Sequence, residues 1–413
     1  MVTALQSPVS RVLSPVPLVS AGISYAVPLV PDPRLIDRPE ALEAALAPLH
    51  EATLLTVDTE FTWERTYGPI LALVQVAGRL PDGRVHAIAV DPLRLDLAPL
   101  VRLLAEPSRL KVVHAGRQDL EILLALAGAP VGPVFDTQRA AALLGFGHQV
   151  GYAGLVERLL GLRIDKGEQW SGWTRRPLRP EQVEYALGDV IPLLDAYDRV
   201  IAELEQVGRR GWAEEEMAPL VRPAAYVIPA DEERYRDVKN RNRLDRRGLG
   251  VLRELAAWRE AAARARDMRP SWIVKDPALV ELARRRPAAP SGLEGIVGLP
   301  PAEARRYAAQ LLACVERGMA VPDDALPGID RNMGPDTSAA MELLRAHLGK
   351  RAEALAIAPA TLATMADLDR LARAHLQGAP LEEGAPDLPF LLQGWRAGAI
   401  GRELLSLLQN MCA

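Results

Sequence analysis

Only two cysteines, Cys314 and Cys412, occur in 413 residues, and neither has a partner at metal-ligand spacing. That excludes a disulfide framework and a cysteine zinc site, and it suits a reducing cytoplasm. Long apolar runs are also missing. The N-terminus has no basic stretch, and Pro8, Pro15, Pro17 and Pro28 interrupt its apolar residues. Neither a signal peptide nor a membrane span is therefore expected, and residues 1–25 read as a poorly ordered leader. An excess of charge is lacking too: 49 Lys+Arg against 53 Asp+Glu leave a net of -4. Taken alone, that balance argues against a polyanionic partner. The remainder is ordinary for a soluble protein, 49% hydrophobic and 25% charged, at a length that accommodates two to four domains.

The distribution of charge points the opposite way from its total. Residues 1–232 carry 22 Lys+Arg against 30 Asp+Glu, residues 233–317 carry 19 against 11, and residues 318–413 carry 8 against 12. A strongly basic segment joined to an acidic region is the profile of an enzyme that must hold a polyanion. Of its 19 cations, 17 are arginine, which pairs with phosphate bidentately. Arg234, Arg236, Lys239, Arg241, Arg243, Arg246 and Arg247 fall within 14 residues. Such a run is either a solvated helix face or a phosphate contact; counterion release favours the second.

Short β-rich runs alternate with helical ones as far as about Trp212. Leu54–Phe61, Leu71–Val76, Val85–Val90 and Leu110–His114 read as strands. Arg38–Leu49, Leu97–Ala105, Leu120–Ala127, Thr137–Leu144, Tyr152–Leu160 and Pro180–Gln206 read as helices. This order predicts a mixed α/β sheet over residues 26–213. Residues 214–232 read as a linker or a partly docked strap, 233–317 as a basic helical domain, 318–335 as a second linker and 336–413 as a second helical domain. An ungapped shift of 89 residues places Leu255 on Leu344 and Pro270 on Pro359. It also places Leu282-Ala283-Arg284 on Leu371-Ala372-Arg373 and Leu299-Pro300 on Leu388-Pro389, so the helical domains read as a duplication.

Four carboxylates and a tyrosine sit where such elements normally keep apolar residues. Asp58 and Glu60, two apart in a strand, leave the same face. Tyr185 and Asp189, four apart in a helix, also share a face. Asp119 opens a helix after the strand ending near His114. Each alone has a plainer reading: a strand running into solvent, a hydrogen-bonded tyrosine, an N-terminal cap. Together, carboxylates converging from separate segments require a compensating cation. Two hard divalent ions in such a cluster clamp a phosphodiester for in-line attack by water.

With Val57-Asp58-Thr59-Glu60-Phe61, His114-Ala115-Gly116-Arg117-Gln118-Asp119-Leu120-Glu121 and Tyr185-Ala186-Leu187-Gly188-Asp189-Val190 in this order, the chain resembles the ribonuclease D family. That family belongs to the DEDD exonuclease superfamily, in the variant with tyrosine in the third motif. Gln75, Asp136-Thr137-Gln138, Leu162-Arg163-Ile164-Asp165-Lys166, Trp173 and Arg176-Pro177-Leu178 add to the likeness. Gly172 departs from it, standing where the family often has Asp. The helical domains resemble HRDC modules. The resemblance implies a ribonuclease H-like exonuclease domain followed by two HRDC-like domains. It also implies 3′-5′ exoribonuclease activity releasing nucleoside 5′-monophosphates, with tRNA precursors as the expected substrate.

By the same resemblance, Asp58, Glu60 and Asp189 hold one Mg²⁺ or Mn²⁺. Asp58 bridges to a second ion, which Asp119 ligates directly or through water. A phenol of pKa about 10 is a poor base at neutral pH, so Tyr185 orients the attacking water. Gln75, His114, Lys166, Arg236, Lys239, Arg241 and Arg243 are the candidate nucleic-acid contacts, with Arg175, Arg176, Trp170 and Trp173 behind them. An exonuclease acting on DNA and a catalytically dead RNA-binding adaptor are the alternatives. Retention of every motif residue opposes the adaptor. A cytoplasmic monomer is expected.

Overall fold

The computed structural model describes residues 35–63, 66–164, 167–328, 335–382 and 388–411. Lys166 and the residues 1–25 read as a leader lie outside the described residues. Six strands form one sheet: β1 (Leu35–Ile36), β2 (Leu54–Thr62), β3 (Ile70–Arg79), β4 (Val85–Val90), β5 (Leu110–Val113) and β6 (Val134–Asp136). Their order is β1-β4-β3-β2-β5-β6. β3 runs antiparallel to β2 and β4, while the pairs β1–β4, β2–β5 and β5–β6 are parallel. The sheet is therefore mixed, as the alternation of runs predicts. β3 is buried from Ala72 to Gly78 and shows no polar alternation, because helices cover both faces of the sheet.

Along the chain come α1 (Pro39–Leu46), α2 (Ala98–Ala105), α3 (Arg117–Ala127), α4 (Thr137–Leu143), α5 (Tyr152–Leu160), α6 (Pro180–Gln206) and α7 (Arg210–Met217). One face of the sheet packs Leu73, Ala77, Ala87 and Ala89 against Ala186, Leu187, Val190 and Leu194 of α6. The other packs Val57, Val74, Val76 and Ile88 with the remaining nuclease helices. Each fully buried Leu or Val contributes roughly 2 kcal/mol, enough to hold a long helix in one position on the sheet. The stretch 214–232 is docked in its first part: Met217 and Leu220 are buried, the Met217 sulfur accepts from Asp136 N at 3.0 Å, and Val227 and Ile228 are exposed.

The first helical block comprises α8 (Arg246–Ala265), α9 (Pro270–Ile273), α10 (Asp276–Arg285), α11 (Pro301–Arg306) and α12 (Ala308–Ala320) around a core of its own. The second comprises α13 (Pro335–Leu355), α14 (Pro359–Leu362), α15 (Met365–Leu376), α16 (Gly394–Arg396) and α17 (Arg402–Met411). Shifted by 89, α9 falls on α14 residue for residue, and α8 and α10 begin where α13 and α15 begin. Left-handed Asp267 (φ 46°) falls on left-handed Ala356 (φ 54°). The blocks differ in attachment. The second shares its apolar core with the nuclease, where Trp395 stacks on Trp212 at 4.5 Å. The first meets the nuclease at Tyr67, whose N–H donates to Asp267 (3.0 Å) and whose hydroxyl donates to Glu260 (3.0 Å).

Lys111 on β5 is fully buried, and its ammonium donates to the carbonyls of Glu106 (3.0 Å), Arg109 (2.7 Å) and Gly132 (2.6 Å). Burial, reinforced by the Arg109 charge, pushes its pKa down to about 8. The ammonium ties the entrances of β5 and β6 together. Lys111→Met leaves three carbonyls without this donor and is expected to lower the unfolding free energy by about 3 kcal/mol in urea titration. A loss below about 1 kcal/mol would show that the lysine is dispensable.

Candidate active site

The site lies where β2 meets α6. On β2, Thr56, Asp58 and Glu60 alternate onto the face that α6 covers. The Thr56 hydroxyl donates to the Val190 carbonyl at 2.8 Å, which sets the helix against the strand. Asp58 pairs with Gln75 across the β2–β3 ladder, and the register breaks immediately after Glu60. Such an irregularity re-aims side chains at the end of a strand. On α6, Gln182, Tyr185 and Asp189 fall at helical intervals along one side. Asp58, Glu60 and Asp189 meet: each offers a carboxylate oxygen, and these lie within 4.8 Å of one another.

Asp119 reaches the same region from α3. Asp136 accepts from the N–H groups of Ala115 (3.1 Å) and Gly116 (3.2 Å) and shapes the turn from β5 into that helix. The turn demands glycine at 116, because a Cβ there would stand 2.5 Å from that of Val113. Asp119 occupies the first turn of α3 without capping it, and its carboxylate accepts the hydroxyl of Thr59. Its oxygen thus lies outside the compact trio, while its charge still acts on Asp58 and Glu60.

Electrostatics define the chemistry. Burial, then the charges of Asp119, Asp189 and Glu60, push Asp58 well above the usual carboxylate range. Burial and the charges of Asp189 and Asp119 push Glu60 up to about 8. Burial alone carries Asp189 up to about 7, and burial raises Asp119. Groups this close retain protons at neutral pH unless a cation displaces them. The donor set is all oxygen, the choice of hard divalent ions. The residues present therefore fit a metal site.

Tyr152 is the contributor that sequence reasoning passed over. Pro192 lies inside α6 and has no N–H, so the carbonyl four residues back, at Gly188, loses its helical donor. The Tyr152 hydroxyl donates to it instead, at 2.9 Å. Burial, then the charges of Asp189 and Asp58, hold that phenol well above its ordinary pKa. The signal was visible as a proline within an otherwise helical pattern.

Tyr185 packs beside Trp173, with ring centroids 6.0 Å apart. Three expected nucleic acid contacts are placed differently. Gln75 is fully buried opposite Asp58 in the ladder, and neither end of its amide has a hydrogen-bond partner among the described residues. His114 has both ring nitrogens engaged, by the Thr137 hydroxyl and the Val150 carbonyl, each at 3.0 Å, and burial lowers its pKa. Those two contacts hold the ring to the start of α4 and to the stretch before α5. Arg176 spends its donors on Asp91, Ala72 O and Trp173 O at 2.5–2.7 Å, pinning the loop before α6 to the sheet.

The arginine run lies largely on two 3₁₀ turns ahead of α8, Asp231–Asp237 and Arg241–Arg243, and not on one helix face. Arg246 and Arg247 donate to carbonyls of residues 319–327 and hold that stretch to α8. Arg236 pairs with Glu233, and Arg241 has partners of its own. Lys239 and Arg243 are exposed, with no ion pair among the described residues.

A model of the 3′-5′ exonuclease family matches residues 33–205, and a model of the HRDC domain matches residues 248–315. Ribonuclease D of Granulibacter bethesdensis is 40% identical over 91% of this chain and 93% of its own length. Ribonuclease D of Acidiphilium cryptum is 40% identical over 92% and 94%. The crystal structure of Escherichia coli RNase D, an exoribonuclease involved in structured RNA processing, superposes with a TM-score of 0.80. It shares 33% identity over 91% of this chain and 98% of that one.

The elevated carboxylate pKa values predict how the metal-free protein responds to pH. Between pH 4.5 and about 8 the folded state keeps a proton on Glu60 that the unfolded chain releases. Stability therefore falls as pH rises through that window. Glu60→Gln removes this contribution. In EDTA, the variant is expected to melt with wild type near pH 4.5 and several degrees above it at pH 8, an advantage of about 1–3 kcal/mol. A gap that does not widen with pH would refute the assignment.

Proposed function

The chain belongs to the ribonuclease D family and is a 3′-5′ exoribonuclease, and on that premise we propose that Asp58, Glu60, Asp119 and Asp189 hold two divalent ions, Mg²⁺ or Mn²⁺. The observation that carries this is the all-oxygen trio of Asp58, Glu60 and Asp189, with Asp119 acting on it from α3. Ions bound there would lower the pKa of the attacking water and neutralise charge on the attacking and leaving oxygens. The chain's own residues do the positioning. β2 presents Asp58 and Glu60 as one rigid pair, α6 brings Asp189 opposite, and Thr59 fixes the orientation of Asp119. Tyr185, one turn before Asp189, orients the water by hydrogen bonding.

The substrate we propose is the 3′ end of structured RNA, tRNA precursors among them, shortened stepwise to nucleoside 5′-monophosphates by a cytoplasmic monomer. The relatives carry the name ribonuclease, which does not favour the reading of an exonuclease for DNA. We assign the first helical block, with Lys239 and Arg243 exposed, to holding the RNA backbone. The second is a copy of it, supported by the coincidence of α9 with α14 at a shift of 89. Its net negative charge leaves it the role of a docked scaffold.

Incubation with 3′-extended tRNA and matched single-stranded DNA, in Mg²⁺, Mn²⁺ or EDTA, tests the reading. Stepwise metal-dependent shortening of the RNA is expected; metal-independent or internal cleavage would refute it. Asp58→Ala, Glu60→Ala and Asp189→Ala are each expected to lower kcat by at least about 10³-fold, with RNA binding retained. Near wild-type turnover in any one sinks the site. Replacing both Lys239 and Arg243 with Gln should weaken RNA binding and reduce the slope of log K against log[salt] by about 0.7 per lost contact, at unchanged kcat. An unchanged slope removes them from the RNA path.

A further inference from the structure

Trp170 is 90% exposed, the most exposed large apolar side chain among the described residues. Its indole makes no hydrogen bond or ring contact there. Single apolar residues on a surface are common, and Val227 and Ile228 are exposed too. What sets Trp170 apart is how firmly its backbone is held, and to what. Its neighbour Ser171 accepts from the Gln182 amide at 2.7 Å, while the other end of that amide accepts from Arg179 N at 3.0 Å. Glu168, two residues earlier, forms an ion pair with Arg179. Trp173, three residues later, is buried against Tyr185. Arg176 ties the end of the loop to Asp91, itself 1% exposed.

The loop is thereby anchored to the first turn of the helix that carries Tyr185 and Asp189. Gln182 and Asp189 lie on the same side of α6, seven residues apart, which is about 10 Å along the axis. An exposed indole is thus held at a set distance from the carboxylate trio. Arg175, exposed on the same loop with its stem against Gly172, adds a cation to that loop. An exposed aromatic face on an anchored loop that also carries a cation, close to a phosphodiester-cleaving site, is an arrangement that receives a nucleobase with little regard to its identity.

We infer that Trp170 is a stacking platform for one base of the RNA strand near its 3′ end, a role that rests on the exoribonuclease reading. The indole acts by binding and does not touch the reacting atoms. Stacking of one base predicts a KM effect of about 10-fold for single-stranded 3′ tails, with kcat unchanged.

Steady-state kinetics on a 3′-tailed RNA test this with wild type, W170A and W170F. A second substrate series carries an abasic residue at each of the last four positions in turn. W170A is expected to raise KM about 10-fold, and W170F to restore most of the loss. At one position the abasic residue should cost the wild type the same factor and cost W170A nothing further, which identifies the stacked base. An abasic penalty equal in both proteins at every position overturns the inference, as does an unchanged KM in W170A. A wild type that leaves the RNA intact would bring down the exoribonuclease reading, and this inference with it. An active wild type beside an unaltered W170A sinks the stacking platform alone.

Discussion

Three half-buried carboxylates that repel one another are the constraint on which the rest of this structure depends. Water would keep Asp58, Glu60 and Asp189 apart, and so would any loosely packed fold. They meet because each backbone is committed elsewhere: Asp58 and Glu60 to the β2–β3 ladder, Asp189 to a helix packed along the sheet. The energy comes from the apolar residues around them. Val57, Leu73, Ala186, Leu187 and Val190 are buried on either side of the polar positions, and their burial outweighs the repulsion. The raised pKa values measure what is left over, and that residue of unfavourable charge is what a divalent cation exploits.

Helix α6 connects the site to its surroundings. Pro192 removes one rung of the helix beside Asp189, and Tyr152 from α5 satisfies the freed carbonyl. Thr56 reaches a second carbonyl, at Val190. The helix is therefore fastened to β2 and α5 by side chains at the level of the carboxylates, where backbone slip would matter most. Its first turn is fastened separately, through Gln182 and Arg179, to the loop that presents Trp170.

The two helical blocks are attached to the nuclease in different ways. The first keeps its own core and meets the nuclease at Tyr67, on the loop that follows β2; the Tyr67 ring packs against that core while its N–H and hydroxyl donate to Asp267 and Glu260. The second merges its core with that of the nuclease, and its α16 is clamped by Trp212, Glu215 and Glu216. Charge follows this division, with the basic surface on the block that has its own core. Apolar surface committed to docking leaves the second block less to offer a partner.

Periodicity and motif order determined a good deal by themselves. β2, β3 and β4 were legible to within about three residues, because apolar alternation or a continuous buried run marks a strand wherever the pairing is long. The meeting of Asp58, Glu60 and Asp189 was legible from their joint occurrence in motif order, although each alone had a plainer reading. The strands β1 and β6, two and three residues long, were not, since no period can be read over so short a span. The beginning of α3 was missed because Arg117, Gln118 and Asp119 are polar, and the turn before them is set by Asp136 from another strand. Only tertiary structure decided that Gln75 is fully buried opposite Asp58, that His114 and Arg176 spend their polar atoms within the fold, and that Tyr152 completes α6. Local sequence fixes which face of an element a side chain leaves. What it meets there depends on a second element, and hydrogen-bonding capacity is used up by whichever partner packing brings first.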